Sequence, residues 1–381
     1  MTRSHLRRVA TSGYACALAL GAVGLAAPSA EAQQPTCFGA PATIVVGAPG
    51  QTTNGTAGND VIVGTAGSDT INGLGGNDLI CGLGGDDLLT GGLGSDRLDG
   101  GADNDRLIGD TFNTSGSSTG AVSSDTLLGG SGNDSLAGDN RAPFSGAFTA
   151  SGGANDTLDG GTGNDFLTGD SLGANASGSG WDRLNGGAES DDIVGDARST
   201  AGNASGAGSD IIDGGLGAQD FLVGDSDATG GNASGNGGND VISDTTDGSF
   251  AIIGDHNLRV DNGGTATGSG SDRITGGPSN ELLTGESSVS SAATTSASSD
   301  VINGGGGNDR IFGDNADYNL TATVGTAGGS DALRGDDGAD TILAGPGNDS
   351  LDGGPGAPDT CNGQTGTDTA NASCEVVQNV P

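Results

Sequence analysis

Lysine is missing altogether from this chain, and the other components of an ordinary globular protein are scarce. Aromatic residues make up 3% of it, with one Trp, two Tyr and two His. All 12 cations are Arg, and they face 44 Asp and 5 Glu for a net charge of −37. A polyanion of this kind excludes unaided binding to nucleic acid or to an anionic membrane. With 32% apolar residues in 381, a conventional core of that length is excluded as well. The shortage of His removes most acid–base chemistry: beyond residue 32 only His256 remains, H-E-x-x-H does not occur, and no His-bearing triad can be assembled. The sequence therefore predicts no enzyme, with carboxylate-based activity on polysaccharides, for which Asp pairs abound, as the least favoured alternative. His256 reads as a surface residue.

No apolar run spans a bilayer. Residues 1–32 carry Arg3, Arg7 and Arg8, a short apolar core and Ala30-Glu31-Ala32, the pattern of a secretory signal peptide. Its removal leaves 9 Arg against 48 acids, a net charge of −39. Export makes disulfides expected among Cys37, Cys81, Cys361 and Cys374. Proximity along the chain pairs Cys37 with Cys81 and Cys361 with Cys374, one of the three pairings that four cysteines allow.

What is abundant is Gly, with 79 residues, and Asp in register. From Gly55 the segments GTAGNDVIV, GTAGSDTIN, GLGGNDLIC, GLGGDDLLT, GGLGSDRLD and GGADNDRLI place Asp60, Asp69, Asp78, Asp87, Asp96 and Asp105 nine residues apart. Two residues after each Asp stands Ile62, Ile71, Ile80, Leu89, Leu98 or Leu107. Each unit reads as a Gly-rich turn and a short strand with one inward aliphatic side chain. Stacked coils of two units line those side chains into a narrow core.

These segments resemble the nonapeptide GGxGxDxUx (U, a large aliphatic residue) of RTX, or haemolysin-type, calcium-binding repeats. The resemblance implies an all-β, right-handed parallel β-roll, with several Ca2+ ions held between successive turns by Asp carboxylates and glycine carbonyls. The residues so implied are Asp60, Asp69, Asp78, Asp87, Asp96, Asp105, Asp134, Asp165, Asp191, Asp220, Asp309, Asp340, Asp349 and Asp359. Hard carboxylate and carbonyl oxygens suit calcium, and carboxylates stacked about 4.8 Å apart are costly without a cation between them.

After Gly109-Asp110 the beat breaks, then resumes at Asp125. The same unit of Gly-Asp, insertion and returning Asp recurs, and counting alternate turns puts every insertion on one edge. That edge reads Asp60, Asp78, Asp96, Asp125, Asp156, Asp182, Asp210, Asp240, Asp272, Asp300, Asp331, Asp349. Asp110, Asp139, Asp170, Asp196, Asp225, Asp255, Glu286 and Asp314 open the insertions, either as further cation ligands or as caps on nearby N–H groups. The recurrence of NASG at 175–178, 203–206 and 232–235 predicts insertions stacked in register, with Phe112, Phe144, Phe148, Trp181 and Tyr318 covering the roll.

Departures fall at DTTDGS (244–249), where Ser249 replaces Asp, and at GGPSNE (276–281), where Glu281 does. Asp220 and Asp359 each follow ten residues rather than nine. Calcium on the uninterrupted edge is therefore doubtful from about 220 to 309. The division expected is signal peptide 1–32, N-terminal cap 33–54, regular coils 55–110, coils with insertions 111–330, terminal coils 331–370, and a tail 371–381 closed by a disulfide. The predicted role is that of a secreted, calcium-folded structural or cell-surface protein with an extracellular glycan or protein as partner. Glycan or ice binding is the alternative, and a polysaccharide-active enzyme comes third.

Overall fold

The structure, a computed structural model, describes residues 34–217, 219–259, 264–289, 296–356 and 358–381. Residues 1–33, which include the expected signal peptide, lie outside the described residues. Among the described residues every regular element is a strand, and no helix is long and apolar enough to cross a membrane.

Each nine-residue unit behaves as its pattern demands. In Val61–Val63 the central Ile62 points inward and is fully buried, while Asp60 before it ends the turn. The next unit forms Thr70–Gly75 on the facing sheet, with Ile71 buried opposite. Repetition builds two parallel fourteen-stranded sheets, each strand pairing with the corresponding strand one coil away. One sheet runs from Ile44–Val45 to Thr369–Ala370, the other from Thr52–Asn54 to Val376–Gln378.

The register brings like residues together: Ile62 pairs with Ile80, Ile80 with Leu98, and Leu98 with Leu127 across the first insertion. The facing file runs Ile71, Leu89, Leu107, Leu136, Leu167. Together these files form one continuous aliphatic core along the array. Burying each Leu or Ile contributes about 1.5–3 kcal/mol, and because a coil contacts only its neighbours, that gain is realised only on stacking.

Both ends are stapled. Cys37 lies in a small antiparallel ribbon, Thr36–Cys37 against Ala40–Pro41, and bonds to Cys81, clipping the ribbon over Val63 on the outer face of the first sheet. Cys361 occupies the aliphatic position of its own coil, paired with Ile342, and its bond to Cys374 plugs the end of the core. Both pairings are those expected from proximity along the chain.

Among the described residues the insertions stack in register, as the NASG recurrence suggests. Thr149–Ser151, Asn175–Ser177, Ala204–Ser205, Ala233–Ser234 and Ala266–Thr267 form a five-stranded parallel sheet. Leu172–Gly173, Arg198–Ser199, Asp227–Ala228 and Asn257–Leu258 form a four-stranded one. A second small core of Ala204, Ala228, Ala233, Leu258, Ala266 and Val289 lies within this layer. The layer explains why the outward residues Ala137, Thr168, Val194, Val223 and Phe312 of the second main sheet are buried rather than exposed.

Arginines pin the two layers. The guanidinium of Arg198, 2% exposed, donates to Asp192 at 2.6 Å and lies 3.8 Å from the Phe166 ring centroid. Two readings of single residues change. His256 is fully buried inside the insertion layer, where the backbone N–H of Ser226 donates to its Nδ1 at 3.3 Å, so it is no surface residue. Trp181 is 70% exposed and covers nothing, because it lies on the outer side of the strand-entry turn between Gly180 and Asp182.

Candidate metal centre

The uninterrupted edge is built from one turn, repeated. In the unit from Gly160 to Thr168, Gly161 (φ +102°) and Gly163 (φ +124°) occupy the left-handed region that admits glycine most readily, and the chain reverses there. Asp165 closes the turn. Its N–H donates to Oδ1 of Asp191 at 2.8 Å, and its own Oδ1 accepts the N–H of Asp134 at 2.8 Å. The same link joins Asp69 to Asp87, Asp87 to Asp105, Asp105 to Asp134, and Asp191 to Asp220. It resumes from Glu281 to Asp309, then to Asp340 and Asp359, and ends on Glu375. The extra residues before Asp220 and Asp359 leave both carboxylates in line.

The inserted edge carries a parallel file. Links of 2.7–3.0 Å run without a break from Asp60 through Asp78, Asp96, Asp125, Asp156, Asp182, Asp210, Asp240, Asp272, Asp300, Asp331 and Asp349 to Asp368. All fourteen Asp residues predicted from the repeat thus stand in one file or the other. Asp368 and Glu375 extend the files beyond the residues predicted; the nine-residue step from Asp359 to Asp368 was the available signal.

One oxygen of each carboxylate is engaged, and from Asp78 and Asp87 onward the other is not. Oδ2 of Asp78, Asp87, Asp96, Asp105, Asp134, Asp165 and Asp191 is buried with no hydrogen-bond partner. Each faces the first glycine of its own turn. A Cβ at Gly160 would collide with Asp165 Oδ2 and with the carbonyl oxygen of Gly186 one coil away, and one at Gly73 would collide with Asp78 Oδ2 and the Gly91 carbonyl. Glycine therefore holds open a space bordered by a carboxylate and a carbonyl. Asp60 and Asp69 differ, since their Oδ2 atoms accept the N–H groups of Thr56 and Thr65, both at 2.6 Å.

The electrostatics are unfavourable as they stand. Burial, partly offset by the N–H of the preceding Asp and reinforced by neighbouring carboxylates, pushes Asp78 up to about 6, Asp96 to about 7, Asp105 to about 8 and Asp125 to about 10. Among the described residues, the only basic side chain within ion-pair distance of the strand-entry carboxylates or the insertion-opening acids is His256, 3.7 Å from Asp225. Unpaired carboxylate oxygens beside backbone carbonyls are a hard donor set that fits calcium, whose charge removes the repulsion.

The interruption near 244–249 takes an unexpected form. Asp244 stands where the register places Gly214 in the preceding coil, and Ser249 donates to its Oδ2 at 2.7 Å. Its carboxylate lies beside that of Asp220 and occupies the space that glycine leaves open elsewhere. In the sequence Asp244 is legible only as an acid at a glycine position.

The acids that open the insertions form a further buried file. Asp139 accepts the N–H of Ala154 at 3.1 Å, Asp170 that of Gly180 at 3.0 Å, Asp196 that of Gly208 at 2.8 Å, Asp255 that of Gly270 at 2.8 Å and Asp314 that of Gly329 at 2.8 Å. In every case the donor lies two residues before the Asp that enters the next strand. Capping of the insertion is thus one role of these residues.

A family model for the RTX calcium-binding nonapeptide repeat matches residues 54–89, 82–114, 119–140, 151–171, 177–197, 205–218, 266–288, 293–318 and 326–358, more than half of the chain. The interval from 219 to 265, which holds the degenerate DTTDGS turn, falls outside the matches. No curated protein matches the chain. The repeat match, the two parallel sheets and the glycine-bordered carboxylate files agree, and the chain belongs to the RTX calcium-binding nonapeptide repeat family.

Proposed function

We propose that this protein is exported and acts outside the cell as a calcium-folded scaffold, with a structural or surface-interaction role. The observation that carries the reading is the pair of buried carboxylate files with unpaired Oδ2 atoms. At neutral pH and low calcium they oppose folding by mutual repulsion, and the apolar core is too narrow to overcome it. Calcium supplies folding free energy by linkage, so low internal and high external calcium keep the chain expanded for export and fold it afterwards. Asp78, Asp87, Asp96, Asp105, Asp134, Asp165, Asp191, Asp309, Asp340 and Asp349 are the proposed ligands, with Asp60, Asp69, Asp220 and Asp359 at the margins. The disulfides at both ends support an oxidising location.

The test is fractionation of producing cells with mass measurement of the mature chain. A chain beginning near residue 33, with both disulfides formed, in the medium or on the cell surface supports the reading. An uncleaved chain in the cytosol with free thiols contradicts it.

A second reading, glycan or ice binding, is favoured by the insertion layer. There Oδ1 of Asn175 accepts the N–H of Asn203 at 3.2 Å and Oδ1 of Asn203 accepts that of Asn232 at 2.9 Å, giving a regular polar file beside Ser177, Ser205 and Ser234. A glycan array and a thermal-hysteresis assay on the calcium-loaded protein test it.

A further inference from the structure

The carboxylates of Asp139, Asp156 and Asp170 converge where no nonapeptide turn exists. Each offers one oxygen, and the three oxygens lie within 4.8 Å of one another. Oxygens sharing a calcium ion at about 2.4 Å are at most about 4.8 Å apart, so this spacing is compatible with a common ion. All three side chains are at most 2% exposed, and Asp139 Oδ1, Asp156 Oδ2 and Asp170 Oδ1 have no hydrogen-bond partner.

Each of these carboxylates is held by its other oxygen. Asp139 Oδ2 accepts the N–H of Ala154, Asp170 Oδ2 that of Gly180, and Asp156 Oδ1 that of Asp125 at 2.7 Å. The free oxygens are consequently pre-oriented rather than left to rotate. In later coils the acid that opens an insertion again approaches the Asp that enters the next strand, there by the latter's engaged Oδ1. At Gly180 a Cβ would sit 2.8 Å from both Asp170 Oδ1 and Asp182 Oδ1, at Gly208 it would meet Asp196 Oδ1 at 2.8 Å and Asp210 Oδ1 at 3.0 Å, and at Gly238 Asp225 Oδ1 at 2.9 Å and Asp240 Oδ1 at 2.8 Å. None of these three glycines has a left-handed φ, so the missing side chain provides space and not a turn.

We propose that the inserted edge carries a second row of calcium sites, each formed between the acid that opens an insertion and the Asp that enters the strand after it. The choice of ion rests on the calcium reading of the repeats; the site itself rests on the convergence of Asp139, Asp156 and Asp170. The competing physical account is a row of carboxyl groups sharing protons, since Asp139 and Asp170 lie within hydrogen-bonding reach of one another.

The single Trp of the chain is placed to separate the two. Trp181 immediately precedes Asp182, so a terbium ion held by Asp182, in this row or in the strand-entry file, is sensitised by tryptophan excitation, whereas one beside Asp165 lies on the opposite edge; the loss in Asp170→Asn assigns the emission to this row. The experiment uses the whole mature chain and measures terbium luminescence together with calcium bound per chain by equilibrium dialysis. Wild-type protein and the Asp165→Asn variant are expected to give tryptophan-sensitised emission. Asp170→Asn is expected to lose at least half of it and to bind at least one calcium fewer, with β-structure retained in calcium. Unchanged emission and stoichiometry in Asp170→Asn overturn the proposal in favour of shared protons. If that variant fails to fold, calcium-binding wild-type protein that gives no sensitised emission overturns it equally. A wild-type chain that binds no calcium refutes the calcium reading of the whole array.

Discussion

The backbone N–H of Asp60 donates to Oδ1 of Asp78, 18 residues later, at 2.8 Å. This contact ties one coil to the next through a side chain and fixes which carboxylate oxygen stays free. Repeated along each edge, it turns a sequence period into two files of charge whose second oxygens point at glycine.

Replacing a central file member should lower calcium affinity more than it disturbs packing. Asp165→Asn preserves the hydrogen bond from Asp134 but removes the charge beside Gly160. The expected result is a shift of the calcium midpoint for folding upward by three-fold or more, read by circular dichroism, with the same β-signal at saturation. Asp247→Asn lies outside both files, in the degenerate turn, and should leave the midpoint within error.

The pH dependence of the calcium-depleted chain follows from raised carboxyl values. Burial, above all, pushes Asp87 and Asp165 up to about 7 and Asp105 and Asp191 to about 8. An unfolded Asp titrates near about 3.9. Below about pH 4 both states are protonated and the acids cost the fold nothing; the cost grows as pH rises from there through about 7 to 8. Calcium-depleted protein should therefore hold most β-structure near pH 4 and lose it toward neutrality, while calcium-loaded protein should release its ions on acidification. Depleted protein that unfolds on acidification instead would contradict the sign.

Glycine at the open space is required for a steric reason alone. Gly160 has no left-handed φ, yet a Cβ there would collide with Asp165 Oδ2 and the Gly186 carbonyl. Gly160→Ala is expected to destabilise the calcium-loaded roll by about 1–3 kcal/mol and to weaken calcium binding with it. Gly116→Ala, where a Cβ would meet only the Asn113 side chain at 3.0 Å or more, should cost less than about 1 kcal/mol by urea midpoint.

Core truncation should report on the one-dimensional stacking. Leu184→Ala lies mid-array between Leu158 and Ile212, all at most 1% exposed, and is expected to cost about 2–5 kcal/mol. Reduction of Cys361–Cys374 opens a short loop at one end, worth about 3 kcal/mol. Its effect should be local, with faster amide exchange over residues 341–378 and unchanged exchange near Leu184.

Much of this was legible because the period is strict. Nine-residue spacing places Ile62, Ile80 and Leu98 in one file and Asp60, Asp78 and Asp96 beside them, and alternate counting puts every insertion on one edge. The NASG recurrence disclosed the stacked insertion layer. Residues whose environment depends on that layer were not legible. His256 looks solvent-facing until neighbouring insertions close over it, and Trp181 looks like a cover until the turn between Gly180 and Asp182 directs it outward. The dual part played by Asp139 and Asp170, one oxygen capping and one unpaired, depends on the side-chain rotamer and on the next coil together, neither of which a local pattern encodes.

The central claim, that calcium in the carboxylate files folds the chain, is tested most directly by far-UV circular dichroism of residues 33–381. The protein is taken from chelator through calcium up to about 10 mM, the weak end of extracellular calcium modules. A cooperative passage from coil to β-structure, reversed by chelator, is the predicted result. An equally β-rich spectrum in chelator at neutral pH would contradict it, showing that aliphatic stacking and the two disulfides hold the roll without the ion.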